Sequence, residues 1–437
     1  MTEAATHRRT AGAGVRRYFR RTFSSLGVRN YRLYFIGQGT SLTGTFMQGV
    51  AQAWLVLTLT GSATAVGIVS ALQFGPVLVL GPYGGVLADR FSKRRLLFFT
   101  QSAAAVFALA MWILVATHAV QIWMVYAVAA CMGVVNSIDN PVRQTFVYEL
   151  VGGDRIGNAI TLNSTVLNLS RIVGPALAGV LIATAGMAAC FLVNAASFVA
   201  VLLSMALMRP SEMRRAELLP AAKGQLREGF AYVARTPLLR AVIVMAALIG
   251  TLTFEFQVSL AALARHTFDA GAAGYSLLSA SMGVGAVIGG LVLAGVHRPG
   301  KSMLVAAAFA FGASTALVAI SPDLRLAAAA MALVGAASIA YSSVSNTILQ
   351  LHSAPRMRGR VVSLWSTAFI GSTIVGAPTV GWLADRFSPP TALAAGALAA
   401  TAAGLYGLIE VRRRTENAAP VSLPAAISAG DTARRSA

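Results

Sequence analysis

Three charged residues lie inside long apolar stretches of the sequence: Asp139, Arg171 and Glu255. A charge at the centre of a bilayer costs about 2.5–3.5 kcal/mol on insertion scales, so such residues are expected to face a cavity or one another. A carboxyl group that is exposed first to one side of a membrane and then to the other can take up and release a proton. Glu255 is therefore the leading candidate for a proton carrier, with Asp139 and Arg171 as further coupling candidates. The alternative is a permanent ion pair of Arg171 with an acid, for which Asp139 is a candidate.

A polar face runs along the first apolar stretch. Its members are Ser41, Thr45, Gln48 and Gln52. Their spacing of i, i+4, i+7 and i+11 places them on one side of a helix. Sparse hydrogen-bonding groups on apolar walls suit an amphipathic organic molecule better than a sugar or an ion, so we predict a substrate cavity. Hydrogen bonding between helices is the alternative for any single residue. The remaining cavity candidates are Asn136, Glu255, Tyr341, Ser345 and Asn346.

Residues typical of enzymes and metal sites are scattered. A membrane enzyme would cluster His, Asp or Cys on one side of the membrane. An ATP-driven pump would need a GxxxxGK[ST] loop, which the sequence lacks. Neither cysteine belongs to a CxxC pair. We therefore expect no metal and no cofactor. The residues concerned are His7, His118, His266, His297, His352, Cys131 and Cys190.

The composition is that of a membrane protein. Apolar residues make up 56% of the 437 residues and charged residues 11%, against roughly a quarter charged in soluble proteins. The net charge of +20 would also fit a nucleic-acid-binding protein. However, the basic residues cluster in short polar gaps and in the tails, and no helix-turn-helix, zinc-finger or RNA-binding signature surrounds them. We therefore expect no nucleic-acid partner.

Twelve stretches are apolar and long enough to span a bilayer, which takes roughly 20 residues. The longest polar gap, 209–238, divides them six and six. We predict an all-α integral membrane fold with a six-helix half at 31–208, a linker at 209–238 and a second half at 239–410. The stretches are 31–59, 63–88, 96–117, 121–143, 157–185, 188–208, 239–264, 273–296, 302–320, 324–350, 360–385 and 391–410.

The basic residues fix a predicted orientation. With the N-terminus inside, all but four of the 35 Lys and Arg residues fall in inner segments. The exceptions are Arg171, Arg265, Arg325 and Arg386. Cytoplasmic segments carry an excess of Lys and Arg. We therefore predict cytoplasmic tails at 1–30 and 411–437 and a cytoplasmic linker.

An octapeptide occurs twice, as GVLADRFS at 85–92 and as GWLADRFS at 381–388. In the predicted topology the first copy ends the second stretch inside and the second copy ends the eleventh stretch outside. Three-helix units repeated with inverted topology would make these two stretches counterparts. Chance recurrence of common residues at membrane exits is the alternative.

The segment from Gly85 through Asp89 to Arg95 resembles the G-x-L-A-D-R-x-G-R-K-x-L signature of the major facilitator superfamily, with Ser92 where glycine is usual. The resemblance implies that Asp89 accepts hydrogen bonds from the first turn of the eleventh helix, near 359–361, and that Lys93 pairs with Asp139. It thereby implies a conformational latch on the cytoplasmic side. The latch residues are Asp89, Arg90, Lys93, Arg94 and Asp139.

A second resemblance lies in the fifth stretch, where 171–179 is similar to the G-P-x-x-G-G motif of proton-driven antiporters. Gly174, Pro175 and Gly179 would permit close packing and a bend. The phrases at 139–144 and 358–361 resemble the subgroup that contains the enterobactin exporter and macrolide efflux proteins.

These resemblances imply a secondary active transporter of the bacterial inner membrane that exports small amphipathic organic molecules, using a proton gradient and alternating access as a monomer. Its partners would be the substrate, protons and the lipid bilayer. Uptake by the same fold is the alternative, followed by a membrane enzyme or a membrane protein that does not transport.

Overall fold

The computed structural model describes residues 23–213, 225–295 and 300–416, and within these ranges the regular structure is entirely helical. Twelve helices or helix pairs form the bundle, and α7 is interrupted at 253–255. A further short helix, the linker helix, covers Gln225–Arg235. The bundle consists of α1 Arg29–Thr60, α2 Ala63–Arg90, α3 Lys93–Ala116, α4 Ile122–Val151, α5 Ile156–Ala185, α6 Met187–Ala206, α7 Pro237–Leu252 with Phe256–Ala262, α8 Gly271–Ala294, α9 Lys301–Ala319, α10 Leu324–His352, α11 Arg358–Arg386 and α12 Pro389–Glu416.

Short connections between the helices follow from local turn chemistry. Gly61 has a φ of 67°, a left-handed conformation that glycine adopts without strain, and it ends α1. Ser62 then accepts a hydrogen bond from the Ala65 N–H and caps α2. The Asp323 carboxylate likewise accepts from two N–H groups in the first turn of α10. These caps end and begin helices within short turns, and consecutive helices run antiparallel.

Eleven helical spans in the described ranges are long and apolar enough to cross a membrane. The twelfth, α1, has 32 residues and so extends about 48 Å. Its serines, threonines and glutamines lower its mean hydropathy, but it packs along α5 and α6 inside the bundle. The predicted twelve-helix membrane fold is therefore confirmed.

Two six-helix halves meet along two seams. In the first half α1 packs on α5 and α6, while α2 packs on α4; in the second half α8 packs on α10, and α7 on α11 and α12. The seams are α2 against α11 and α5 against α8. We call the end of the bundle at 90–93, where α2 passes into α3, the basic face, and the other end the opposite face.

The halves touch near the opposite face. A Cβ at Gly381 of α11 would lie 2.5 Å from the Ala63 carbonyl oxygen of α2. On the other seam, a Cβ at Gly179 of α5 would lie 2.8 Å from the Ser276 Cβ of α8. These contacts bring the two halves together on both seams at this end.

Toward the basic face the seam between α2 and α11 lacks such a close contact at Gly85 of α2. No described atom outside its own helix lies within 4 Å of where a Cβ at Gly85 would stand. The halves therefore touch at the opposite face, and the α2–α11 seam is open at the basic face.

All but one of the predicted helix ends lie within six residues of those in the structure, and two predictions differ more. The fourth stretch was predicted to end at 143, but α4 continues to Val151 because Pro141 is accommodated inside the helix. The seventh stretch was predicted as continuous, but its helix stops at Leu252 and resumes at Phe256. The predicted tails lie largely outside the described residues, as does 214–224 of the linker.

Candidate functional site

The seam between α2 and α11 ends in a carboxylate cap at the opposite face. Asp385, in the second copy of the octapeptide, accepts hydrogen bonds from the N–H groups of Ala63 and Thr64 at 2.7 and 2.9 Å. It also accepts from the hydroxyls of Ser62 and Thr64 at 2.6 and 2.7 Å. The N–H groups of a helix's first turn lack partners within the helix, and the helix dipole favours negative charge there. Asp385 therefore joins the second half to the first through one carboxylate.

The first copy of the octapeptide lies at the basic face. The side chain of Asp89, the residue equivalent to Asp385, lies outside the described residues. Arg90 is exposed, and Arg94 donates to the Met205 carbonyl of α6 at 2.8 Å while lying over the Phe98 ring. The described contacts of these basic residues stay within the first half.

The expected pairing of Lys93 with Asp139 is wrong. Lys93 of α3 instead pairs with Glu149 at 2.7 Å. Glu149 lies on α4, as Asp139 does. Asp139 lies ten residues, or about 15 Å, deeper along α4 than Glu149. Because Lys93 begins α3 at the basic face, its ammonium group meets the acid at that level.

Asp139 is enclosed on all sides. It is 1% exposed and accepts hydrogen bonds from the Thr100 hydroxyl at 2.7 Å and the Gln101 amide at 2.8 Å, both on α3. Arg143, one turn further along α4, forms its ion pair. The suggested partnership of Asp139 with Arg171 is therefore wrong, because Arg143 fills that place.

The polar face of α1 divides between several neighbours. Gln48 accepts a hydrogen bond from the Asn194 amide of α6 at 2.6 Å, and Gln52 accepts from Gln73 of α2 at 3.4 Å. Ser41 is buried, while Thr45 is exposed. In this conformation Gln48 and Gln52 bond between helices, and a cavity role for the face stays a prediction.

The α10 and α4 candidates have equally mixed surroundings. Tyr341 and Ser345 are both 0% exposed, so they face neighbouring helices. Asn346 accepts from Gln350 on its own helix, and Asn136 is partly buried.

Glu255 lies at the interruption of α7. The Thr253 hydroxyl donates to the Gly396 carbonyl of α12 at 2.7 Å, which holds the irregular turn. Glu255 is 4% exposed, and its Oε1 has no hydrogen-bond partner among the described residues. The Thr373 hydroxyl of α11 lies within hydrogen-bonding range of its carboxyl group. A buried carboxyl with an unused oxygen is a group that can change its protonation state.

Arg171 stands apart from these acids. It is exposed within α5, and its guanidinium lies 5.8 Å from the centre of the Phe46 ring of α1. No carboxylate of the described residues pairs with it within 4.0 Å. Arg171 and the candidate proton carrier Glu255 therefore do not form an ion pair in this conformation.

The glycines of α5 pack as close contacts. A Cβ at Gly174 would lie 2.7 Å from the Phe46 Cβ of α1, whereas Gly179 approaches α8. Pro175 is buried inside the continuous helix α5. These three residues thus seat α5 between α1 and α8, and a hinge role stays a prediction.

Several site residues escaped the sequence analysis. Ser62 and Thr64, which donate to Asp385, could have been inferred from the second octapeptide once its helix was paired with α2. Ser164 and Asn168 lie seven and three residues before Arg171 on α5. Their i, i+4, i+7 spacing with Arg171 was the available signal.

Sequence comparison places relatives along nearly the whole chain. A family described as transmembrane secretion effectors matches residues 20–427. The enterobactin exporter EntS of Escherichia coli O1:K1 is 26% identical over 392 residues, covering 88% of this chain and 92% of the relative. EntS of Shigella boydii serotype 18 has the same identity and coverage.

Solved transporter structures share the fold. A bacterial homologue of the human lysosomal transporter Spinster, inward-facing and unoccupied, has a TM-score of 0.66 at 16% identity and covers 88% of this chain and 96% of its own. A POT family transporter in complex with 5-aminolevulinic acid has a TM-score of 0.71 at 10% identity, with 89% and 96% covered. At these identities the likeness shows that the fold is shared, and no more than the fold.

Proposed function

The chain belongs to the transmembrane secretion effector family of the major facilitator superfamily, and on that premise we propose that it exports small amphipathic organic molecules by proton-driven alternating access. It is a multi-pass membrane protein and an efflux transporter by family. Its relatives are named as exporters of enterobactin, a siderophore, so siderophores and amphipathic drugs are the first substrate classes to test.

The observation that supports alternating access is the one-sided closure of the bundle. Asp385 and the glycine contacts join the halves at the opposite face, while α2 has open space at Gly85 toward the basic face. The Asp89 copy of the octapeptide lies at the far end of the same seam. Rocking the halves about their middle would separate the Asp385 cap and bring Asp89 to the first turn of α11.

The excess of Lys and Arg supports a cytoplasmic basic face, with both tails and the linker inside a bacterial inner membrane. In that orientation the open face takes substrate from the cytoplasm. Glu255, buried beside the interruption of α7, supports proton coupling: protonation removes its charge, and opening to the outside would expose it to the proton-rich compartment. A monomer has both halves and needs no partner chain for this cycle.

The test is uptake of labelled enterobactin, and separately of a labelled macrolide, into everted inner-membrane vesicles that acidify their interior. We expect accumulation that a protonophore abolishes. Glu255→Gln should lose accumulation while keeping downhill flux. Glu212→Gln is the matched control, because Glu212 is an exposed acid outside the bundle that pairs with Arg209.

Each alternative predicts another result. An uptake transporter would accumulate substrate in right-side-out vesicles instead. A membrane enzyme would return a chemically altered compound, and a non-transporting protein would leave both vesicle types at background. Proton-driven accumulation that survives Glu255→Gln unaltered would remove Glu255 from the coupling role.

A further inference from the structure

A polar track runs along α5 and ends at Arg171. Its members are Thr161, Ser164, Asn168 and Arg171. At 100° per residue they fall within one sector of the helix. Three of them are exposed and Asn168 is partly buried. The track therefore presents accessible polar groups from the start of α5 near the basic face to the level of Arg171.

The other side of α5 is apolar and faces away. Leu169, Leu177 and Val180 are 55%, 43% and 60% exposed, and they centre on the direction opposite Arg171. Exposed aliphatic side chains on a membrane-spanning helix face lipid. The polar track consequently faces the interior of the bundle.

Two contacts place Arg171 between the halves. Ser170 bonds to Thr43 of α1 at 3.0 Å, and the Arg171 carbonyl oxygen lies 3.0 Å from where a Cβ at Gly283 of α8 would stand. The Arg171 side chain therefore projects between α1 of the first half and α8 of the second. Fifteen residues from the start of α5, or about 22 Å, it lies near the middle of the span.

The two acids named as candidates for proton coupling have other partners than Arg171. Asp139 pairs with Arg143, and the carboxyl group of Glu255 is directed to Thr373 of α11. The described contact of the Arg171 guanidinium is the Phe46 ring. A guanidinium is charged at any physiological pH and offers a planar fork of donors that matches a carboxylate or similar oxyanion.

We propose that Arg171 is the anchor for an organic anion between α1, α5 and α8, with Phe46 beside it and Ser164 and Asn168 along the approach from the basic face. This rests on the proposed function and narrows its substrates to molecules that combine an oxyanion with an apolar body. The anion supplies the negative counter-charge that Arg171 lacks among the described residues, and the apolar walls hold the rest of the molecule.

The test compares two ligands that differ in charge alone, dansyl-phenylalanine and its carboxamide. Binding to the purified full-length protein in zwitterionic nanodiscs is measured by dansyl fluorescence. We expect the carboxylate to bind about ten-fold more tightly than the amide, as one charge-assisted contact implies. Arg171→Gln should abolish that preference by weakening carboxylate binding about ten-fold more than amide binding, and Arg171→Lys should retain part of it.

The matched control is Arg325→Gln, which removes the charge of an exposed arginine at the start of α10 and should leave both affinities unchanged. Equal binding of both ligands to the wild type would overturn the proposal, as would a preference that survives Arg171→Gln or an equal loss of both affinities. The vesicle experiment measures export independently, so a failed anion preference and a failed export function are separate results.

Discussion

The two copies of the octapeptide occupy equivalent positions at opposite ends of one helix pair, yet their surroundings differ. Gly381, which begins the second copy, contacts the backbone of α2 at Ala63 and Thr64, whereas the space beside Gly85, which begins the first, is open. Nearly identical sequences therefore have different contacts in one conformation. Whether the octapeptide contacts the neighbouring helix therefore depends on the position of the halves. The sequence allows that contact at both ends of the helix pair.

Antiparallel packing explains why both ends have this capacity. Because α2 and α11 run in opposite directions, the C-terminal octapeptide of each is at the same end of the bundle as the N-terminal turn of the other. A carboxylate at the fifth position can cap that turn only when the ends touch. A rigid pair cannot touch at both ends while the halves rock, so the two caps are expected to alternate.

The largest expected effect comes from enlarging the two glycines. Gly381→Val should prevent the close approach at Ala63 and open the opposite face, whereas Gly85→Val should hinder closure of the basic face. Overpacking costs about 1–3 kcal/mol, so each change should shift the equilibrium by up to about 100-fold, in opposite directions. Both variants should lose transport.

Distances between spin labels measure these shifts. One pair, Ala119 and Pro322, spans the opposite face, and the other, Asp154 and Arg356, spans the basic face. The background replaces Cys131 and Cys190, the cysteines of the sequence. If both valine variants shifted the distances in the same direction, the two copies would not be opposed.

A smaller effect is expected from neutralising the two carboxylates. Asp385→Asn should weaken the cap on α2. The loss of about 1.5 kcal/mol of charged hydrogen bonding implies a change of about ten-fold in the ratio of the two conformations that the label distances report. Asp89→Asn should shift them the other way. Transport should fall in both, with substrate affinity in detergent retained; equal loss of affinity and transport would contradict a latch.

A still smaller shift is expected at the rim of the closed face. Arg265 lies over the Trp54 ring at 6.0 Å and donates to Thr58 at 3.5 Å, joining the end of α7 to α1. Exposed charged contacts contribute about 0.5 kcal/mol, so Arg265→Gln should change the populations about two-fold. A ten-fold change would show that this contact, and not the Asp385 cap, is the main one that closes the opposite face.

No conformational shift is expected from breaking a pair inside one half. Lys93 and Glu149 are largely buried, and both belong to the first half. Lys93→Met should lower the free energy of unfolding by about 1–3 kcal/mol, because it leaves a buried carboxylate unpaired, while both label distances stay unchanged. Arg209→Gln, which breaks an exposed pair, is the control for stability. Altered distances would make Lys93 part of the latch.

Much of the fold follows from the sequence, since hydrophobic length and basic gaps determine spans and topology. The break at 253–255 could not be predicted, because it depends on a hydroxyl that bonds to α12, far away in the chain. The predicted partner of Lys93 was wrong for a similar reason. Lys93 pairs with Glu149 and not with Asp139, because the prediction did not consider how far along α4 each acid lies from the basic face. The polar face of α1 was found, but spacing alone could not show that Gln48 bonds to α6 and Gln52 to α2.

The low hydropathy of α1 has a consequence for biosynthesis. As the first span to leave the ribosome, α1 carries polar groups that obtain their partners, Gln73 and Asn194, only after α2 and α6 have been made. Unpaired amides partition poorly into lipid. We therefore expect α1 to remain at the translocon until later spans arrive, so that the first half enters the membrane as a group and not helix by helix.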